Sequence, residues 1–239
     1  NTYTAVELGG ATGASPHRFL GTTLVDWMKT ADPALGFLSV SQKDRSAILP
    51  IGRSAGPVYW FTEGRFTTSS YYADSLPAWL TAWQGRGGVE RLAGTTWSLL
   101  LPDSAYTEVG AQPFENGGRD VEFPHRLSLR AESGARALAD SPWMDSLTLD
   151  VALDGVRALG LGRRKLPDLL AVGLSATDHV GHDYGPDSRE LHDHLLRVDR
   201  WFEHIGQFRQ QGGEAAARQW PRSRLAALYF TRVQDGPCG

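Results

Sequence analysis

The pattern of apolar and polar positions is most distinctive between Leu166 and Asp199. A short apolar run at residues 169–174 is followed by a polar stretch that contains glycine. A run this short and this apolar predicts a strand that is buried on both faces of a parallel sheet. The polar stretch predicts a loop, which carries Asp178, His179, His182 and Asp183.

A helix is predicted to follow this loop, because apolar residues recur there at helical spacing. Its first residue follows Asp187 or Ser188, either of which can cap a helix, and Glu190 is placed to complete a capping box with Asp187. The order of strand, polar loop and helix puts the loop at the carboxyl end of a strand in an α/β sheet. The apolar stripe of this helix comprises Leu191, Leu195, Val198, Phe202 and Ile205.

Elsewhere the chain alternates helical and strand-like patterns, which is typical of an α/β fold. Thr22 or Thr23 is expected to cap a helix, residues 36–41 to form a strand, and residues 46–49 to open a short helix. Residues 58–72 contain two β-rich runs around a glycine, which is a hairpin signal. Helical spacing returns at 129–138 and 147–159, and residues 224–231 predict a last strand.

Aromatic residues are concentrated in the first third of the chain. They either form a stacking platform for a nucleoside or aryl group, or pack a small cap subdomain. The second interpretation is favoured because the aromatic residues recur at strand and helix periods, as a core requires. They are Tyr59, Trp60, Phe61, Tyr71, Tyr72, Trp79 and Trp83, and we expect residues 58–127 to form a cap insertion.

Composition narrows the class of protein. The 239 residues carry a net charge of −3, which gives no support for a nucleic-acid groove. No apolar run approaches the length of a membrane span. Cys238 is the only cysteine, so an intrachain disulfide and a cysteine metal cluster are both excluded. The length fits one domain with a sizeable insertion.

Two pairs of residues carry candidate chemistry. Asp178 and His182 lie four positions apart and can turn toward one cation such as zinc, although a solvated loop would show the same pair. Lys43 and Arg45 follow the predicted strand 36–41 and can bind phosphoryl oxygens, Arg45 through its bidentate fork. The alternative for this second pair is two solvated charges that flank Asp44 on a surface turn.

The string S-A-T-D-x-V-G-H-x-Y-G-P-x-S-x-E at 175–190, followed by R-V-D at 197–199, resembles a signature of the alkaline phosphatase superfamily. It is most similar to the branch of threonine-nucleophile alkaline phosphatases and type I phosphodiesterases or nucleotide pyrophosphatases. The resemblance implies an alkaline-phosphatase-like, mostly parallel sheet with flanking helices. It also implies two zinc ions in the complete enzyme, with Asp178 and His182 as ligands of one of them.

A second match separates substrate classes. Ser41, Lys43, Asp44 and Arg45 match the S-x-K-D-R segment of the threonine-nucleophile phosphatases, in which the Lys and the Arg contact the substrate phosphate. The diesterases of the same branch generally lack this pair. The resemblance therefore implies a metal-dependent phosphate monoester hydrolase that acts on a small-molecule ester. The alternatives are a phosphodiesterase or nucleotide pyrophosphatase of the same superfamily, or a catalytically inactive remnant.

The resemblance extends over roughly residues 13–199. It implies that the nucleophilic Thr and another metal-binding Asp precede Asn1, and that an Asp-His pair and a further His follow the helix that begins near 188. The chain has no histidine beyond His204. We therefore expect residues 1–239 to be one incomplete, internal domain that is inactive by itself, with 206–239 as an atypical tail. Because such proteins are commonly exported, the resemblance also implies a periplasmic or extracellular location.

Overall fold

The computed structural model of the protein describes residues 5–6, 12–127, 134–211 and 225–230, with side chains described at 13–127 and 137–203. The helices are α1 (Leu24–Ala31), α2 (Asp44–Ile48), α3 (Ala78–Gly85), α4 (Gly134–Ala139), α5 (Pro142–Leu159), α6 (Ala176–Tyr184) and α7 (Arg189–Gln211). The strands are β1 (Ala5–Val6), β2 (Thr12–Gly13), β3 (Phe37–Ser41), β4 (Val58–Thr62), β5 (Arg65–Thr67), β6 (Thr96–Trp97), β7 (His125–Arg126), β8 (Asp168–Gly173) and β9 (Leu225–Phe230).

The main sheet has five strands in the order β5-β4-β3-β8-β9. The pairs β4–β3, β3–β8 and β8–β9 are parallel, whereas the edge strand β5 is antiparallel to β4. The predicted α/β class and mostly parallel sheet are therefore confirmed. The strand predicted at 224–231 is also present as β9, and it pairs with β8 along its whole length.

Strands β3 and β8 form the centre of the sheet, and every residue in them is buried. Alternate side chains leave a strand on opposite faces. Leu38 and Leu170 pack on one face against α3 and α5, whereas Phe37 and Leu169 pack on the other against α1 and α2. Burial on both faces explains why the sequence of β8 is a continuous apolar run.

The hairpin predicted at 58–72 is present as β4 and β5, with a two-residue turn at Glu63 and Gly64. Its aromatic residues pack edge to face against one another, for example Phe66 against Trp83 and Tyr59 against Trp79. Tyr59 and Phe66 belong to the core between the sheet and α5. These contacts agree with the favoured interpretation that the aromatic side chains serve packing and not the stacking of a ligand.

The prediction of a loop after β8 is wrong, because residues 176–184 form the helix α6. Asp, His and Gly have lower helix propensity than Ala or Leu, and they hide a short apolar stripe of Ala176, Val180 and Tyr184. Val180 and Tyr184 are buried against Trp97 and the start of α7. Tertiary burial therefore decides the conformation where local propensity does not favour a helix.

The predicted capping box of the next helix is also wrong. Ser188 caps α7, because its Oγ accepts a hydrogen bond from the backbone N–H of Leu191 at 3.1 Å. Glu190 instead lies 3.0 Å from Nε2 of His125, and both side chains are buried. Within the predicted apolar stripe, Leu191 and Val198 are buried, whereas Leu195 is 41% exposed.

Residues 96–106 have little regular structure and are held to α7 by one buried carboxylate. Asp193 accepts hydrogen bonds from the indole of Trp97 at 2.6 Å and from the hydroxyl of Tyr106 at 2.7 Å. It also accepts from the backbone N–H of Leu100 and the guanidinium of Arg197, both at 2.6 Å. These bonds hold the pKa of Asp193 below its usual value, although burial acts in the opposite direction.

The division of the chain into a domain with an insertion at 58–127 and a tail at 206–239 stays a prediction. β4 and β5, at the start of the first range, pair within the main sheet, as does β9 in the second. In the described part of the chain, no helix combines the length and the apolar character that crossing a membrane requires.

Candidate functional site

Two neighbouring parallel strands bring the candidate residues to one edge of the sheet. Ser41 at the end of β3 pairs in register with Gly173 at the end of β8. Lys43 follows Ser41 by two residues, and α6 begins three residues after Gly173. Since the carboxyl ends of parallel strands meet at the same edge, residues from distant parts of the sequence converge there, as in other α/β sheets.

Ser41 fixes the local backbone on both sides of this junction. Its Oγ donates to the carbonyl oxygen of Gly173 at 3.0 Å and accepts from the backbone N–H of Lys43 at 3.2 Å. A Cβ on Gly173 would lie 2.4 Å from Ser41 Oγ, which is closer than such contacts allow. The two strand ends are therefore joined by one hydroxyl that only a glycine at 173 leaves room for.

Helix α6 places Asp178 and His182 on one face, because residues four apart in a helix are neighbours. Asp178 Oδ1 lies 3.5 Å from His182 Nε2. The two predicted ligands are therefore adjacent, but they are adjacent through helical geometry and not through a flexible loop. His182 remains about half exposed, so its imidazole is accessible from solvent.

Lys43 reaches across from β3 to the same carboxylate. Its Nζ forms a short hydrogen-bonded ion pair with Asp178 Oδ2, and only 14% and 16% of the two side chains are exposed. Burial alone would raise the pKa of Asp178, but the hydrogen bond and charge of Lys43, together with His182 and His179, hold it below its usual value. Asp178 is therefore kept ionised, as a metal ligand must be.

Arg45 lies apart from this ion pair. It belongs to the first turn of α2, where 67% of its side chain is exposed and its guanidinium lies 3.9 Å from Asp44. The structure thus brings Lys43, Asp178 and His182 together and leaves Arg45 at the surface of the adjacent helix.

The Asp178–His182 pair fits part of a zinc site. Zinc binds carboxylate oxygen and imidazole nitrogen at about 2.0–2.1 Å, so two such ligands of a tetrahedral ion lie about 3.3 Å apart. The observed separation of 3.5 Å is close to that value. Among the residues whose side chains are described, no group of three or more His, Cys, Asp and Glu could hold a metal ion. Among the described side chains, the pair Asp178 and His182 thus stands without a third such residue beside it.

The other histidines near α6 have different surroundings. In α6 the Nδ1 atom of His179 lies 3.1 Å from Asp140 Oδ1. His192 Nδ1 lies 2.8 Å from Glu108. His194 is completely buried, and its Nε2 lies 2.9 Å from Thr177 Oγ1 of α6.

Sequence reasoning missed the buried residues beneath α6. Asp145 of α5 accepts a hydrogen bond from the backbone N–H of Ala176 at 3.0 Å. Asp145 is completely buried, and the apolar periodicity around it gave no indication of a polar role. Asp145 lies in the first turn of α5, before the predicted helical range 147–159, and only the packing of α5 against α6 reveals its partner.

Comparisons with known proteins place this chain in a family. Residues 23–215 match the model of the type I phosphodiesterase / nucleotide pyrophosphatase family. Alkaline phosphatase PhoV of Synechococcus elongatus is 36% identical over 197 residues, and alkaline phosphatase PafA of Elizabethkingia meningoseptica is 33% identical over 195. These alignments cover 79% and 78% of this chain.

The fold is similar as well. The crystal structure of wild-type alkaline phosphatase PafA superimposes with a TM-score of 0.77 at 26% sequence identity, over 94% of this chain and 44% of that one. The chain spans about a third of the length of the curated relatives it matches, since each alignment covers 36% of the relative. The chain belongs to the type I phosphodiesterase / nucleotide pyrophosphatase family, within the alkaline phosphatase superfamily.

Proposed function

We propose that the whole protein carrying this chain is a phosphoric ester hydrolase that acts on small-molecule phosphate monoesters. The observation that carries this proposal is the ion pair between Lys43 and Asp178. A cation suited to phosphate oxygens and a carboxylate suited to a metal lie side by side at the carboxyl edge of the sheet. Transfer of a phosphoryl group depends mainly on positioning and on electrostatic stabilisation, and this arrangement provides both.

Lys43 and Arg45 are assigned to the substrate phosphate. Lys43 is largely buried, so its charge acts in surroundings where water screens it weakly. Arg45 is exposed and can turn its planar fork toward two phosphate oxygens at once. Together they would neutralise the charge on the non-bridging oxygens.

Asp178 and His182 are assigned as two ligands of a zinc ion, with further ligands supplied by other parts of the whole protein. Alkaline phosphatases of this family are metalloenzymes. Zinc is proposed because one oxygen and one nitrogen ligand at tetrahedral separation suit it. When bound, the ion would stabilise the negative charge that develops on the reacting phosphoryl group. Asp178 and His182 would hold that ion in position relative to Lys43.

A phosphodiesterase is the second candidate, because the matching family model carries that name. Monoesters are favoured because a monoester dianion has more non-bridging charge for Lys43 and Arg45 to neutralise than a diester. The names of the relatives PhoV and PafA, both alkaline phosphatases, support the same choice. By the same resemblance we propose a periplasmic or extracellular location.

The test compares hydrolysis of an aryl phosphate monoester and the matching aryl diester by the whole protein. Lys43→Ala and Arg45→Ala should each lower kcat/KM for the monoester by about 1.5–3 kcal/mol of transition-state stabilisation, and lower it less for the diester. Lys165→Ala is the matched control, since Lys165 is exposed just before β8, at the opposite end of the sheet. Equal losses on both esters would overturn the monoester assignment, and activity on the diester alone would establish the second candidate.

A further inference from the structure

A cluster of buried polar side chains lies directly beneath the two proposed metal ligands. It consists of Asp145 on α5, Thr177 on α6 and His194 on α7, and all three are completely buried. Thr177 immediately precedes Asp178 in the sequence. The cluster therefore joins three helices at the position where α6 begins to carry the site.

Asp145 serves as the cap of α6. The residue before the helix, Ser175, makes no capping hydrogen bond with its side chain. Asp145 Oδ1 instead accepts the N–H of Ala176, the first residue of the helix, at 3.0 Å. A carboxylate at this end of a helix is favourable, because the first N–H groups lack partners within the helix and carry partial positive charge.

The second carboxylate oxygen of Asp145 meets the other two members. Oδ2 lies 3.5 Å from Thr177 Oγ1 and 3.3 Å from His194 Nε2. Thr177 Oγ1 and His194 Nε2 are themselves 2.9 Å apart. With its ring hydrogen on Nε2, His194 donates to Thr177, and the Thr177 hydroxyl donates to Asp145. When one member is removed, the remaining buried polar atoms lose their hydrogen-bond partners. Because unpaired buried polar atoms are costly, we expect α6 to shift from its position.

We propose that Asp145 and Thr177 are positioning residues that fix the start of α6, and thereby the orientation of Asp178 and His182 toward a metal ion. The inference rests on the proposed function, because it takes these two residues as ligands. Asp178 is in the first turn of a helix of nine residues, so a shift of the first turn moves the carboxylate relative to Lys43 and to His182. Hydrogen bonds behind metal ligands typically change metal affinity by 10–100-fold when they are removed.

The test uses zinc titration of the 239-residue chain by calorimetry, together with hydrogen exchange of the amides of residues 176–182. Thr177→Val removes the hydroxyl at nearly constant volume, Thr177→Ser keeps it, and Asp145→Asn keeps the shape of the cap. Thr177→Val and Asp145→Asn should weaken zinc binding about tenfold and speed hydrogen exchange in α6. Thr177→Ser should match the unsubstituted chain in both zinc affinity and exchange rate. Asp150→Asn is the control on the same helix, because Asp150 is half exposed and pairs with Arg91.

The outcomes separate this inference from the proposed function. If the unsubstituted chain binds no zinc, the proposed metal site fails, and the exchange measurement alone decides whether the cluster holds α6. If zinc binds equally well to the unsubstituted chain and to folded Thr177→Val and Asp145→Asn variants, the inference is overturned while the metal site stands. A loss of global stability with unchanged zinc affinity would assign the cluster a purely structural role.

Discussion

Lys43 and Asp178 are 135 residues apart in the sequence and form an ion pair across the carboxyl ends of two neighbouring parallel strands. The pair is mostly shielded from solvent, and Asp178 also faces His182. Lys43, which is assigned to the substrate phosphate, therefore pairs directly with Asp178, which is assigned to the metal. Their mutual dependence can be measured without any assay of activity.

A double-mutant cycle on this pair should show coupling. Lys43→Met and Asp178→Asn each remove one charge at nearly constant volume, and the double variant should be more stable than the sum of the two single effects predicts. We expect a coupling energy of about 1–2 kcal/mol, because contacting charged residues couple while distant ones add. Urea denaturation of the four proteins measures it. Additive effects would show that the ion pair contributes nothing to stability.

Zinc binding by the chain should depend on the two ligands of α6. Asp178 and His182 are proposed as half of a tetrahedral ligand set, so we expect weak binding that is lost in Asp178→Ala and in His182→Ala. His192→Ala should leave zinc binding unchanged, because His192 belongs to α7 and its Nδ1 lies against Glu108. Calorimetric titration distinguishes these variants. Tight binding that survives Asp178→Ala would mean that other residues are the ligands.

Gly173→Ala should destabilise the junction of β3 and β8. The added methyl would lie 2.4 Å from Ser41 Oγ, 2.8 Å from Ser41 Cβ and 3.1 Å from Ser46 Cβ, and these distances are too short for ordinary contacts. We expect a loss of about 1–3 kcal/mol in the free energy of unfolding, as for other overpacked sites.

Gly181→Ala is the matched control for this prediction. A Cβ there would meet only Leu191 Cδ2, at an ordinary contact distance of 3.8 Å. Because alanine favours helix over glycine by about 1 kcal/mol, this variant should be as stable as the parent or more stable. Thermal unfolding compares the two substitutions directly, and equal destabilisation by both would contradict the steric explanation.

Asp193 should make the stability of the chain sensitive to acid. Its pKa is lower in the folded protein than in the unfolded chain, where it is about 3.9. The stability it contributes is therefore present above the unfolded value and is lost as the pH falls through the folded value. Asp193→Asn should cost about 3 kcal/mol at pH 7, where a buried carboxylate loses its charged hydrogen bonds. Urea denaturation at pH 7 and at about pH 3, which is below the unfolded value, should show this difference narrowing in acid, and a constant difference would refute the assignment.

By itself the sequence determined the class of fold and supplied the residues that are proposed for the site. The continuous apolar run at 169–174 indicated β8, because a strand buried on both faces has no polar side, and the strand-like pattern at 36–41 indicated β3. The S-x-K-D-R and D-x-x-x-H segments identified Lys43, Asp178 and His182, which the structure then brings together. These features are local, since each depends on a few neighbouring residues.

Tertiary structure decided the conformation around those residues. The segment 176–184 has too many helix-disfavouring residues to be recognised as a helix, and it folds as one because Val180 and Tyr184 are buried and Asp145 caps it from another helix. The partner of Glu190 lies 65 positions away in the sequence, and the partner of His194 lies 17 positions away. Such partners leave no periodic signal in the sequence, because a hydrogen bond between distant segments is formed only when the sheet and helices have brought them together.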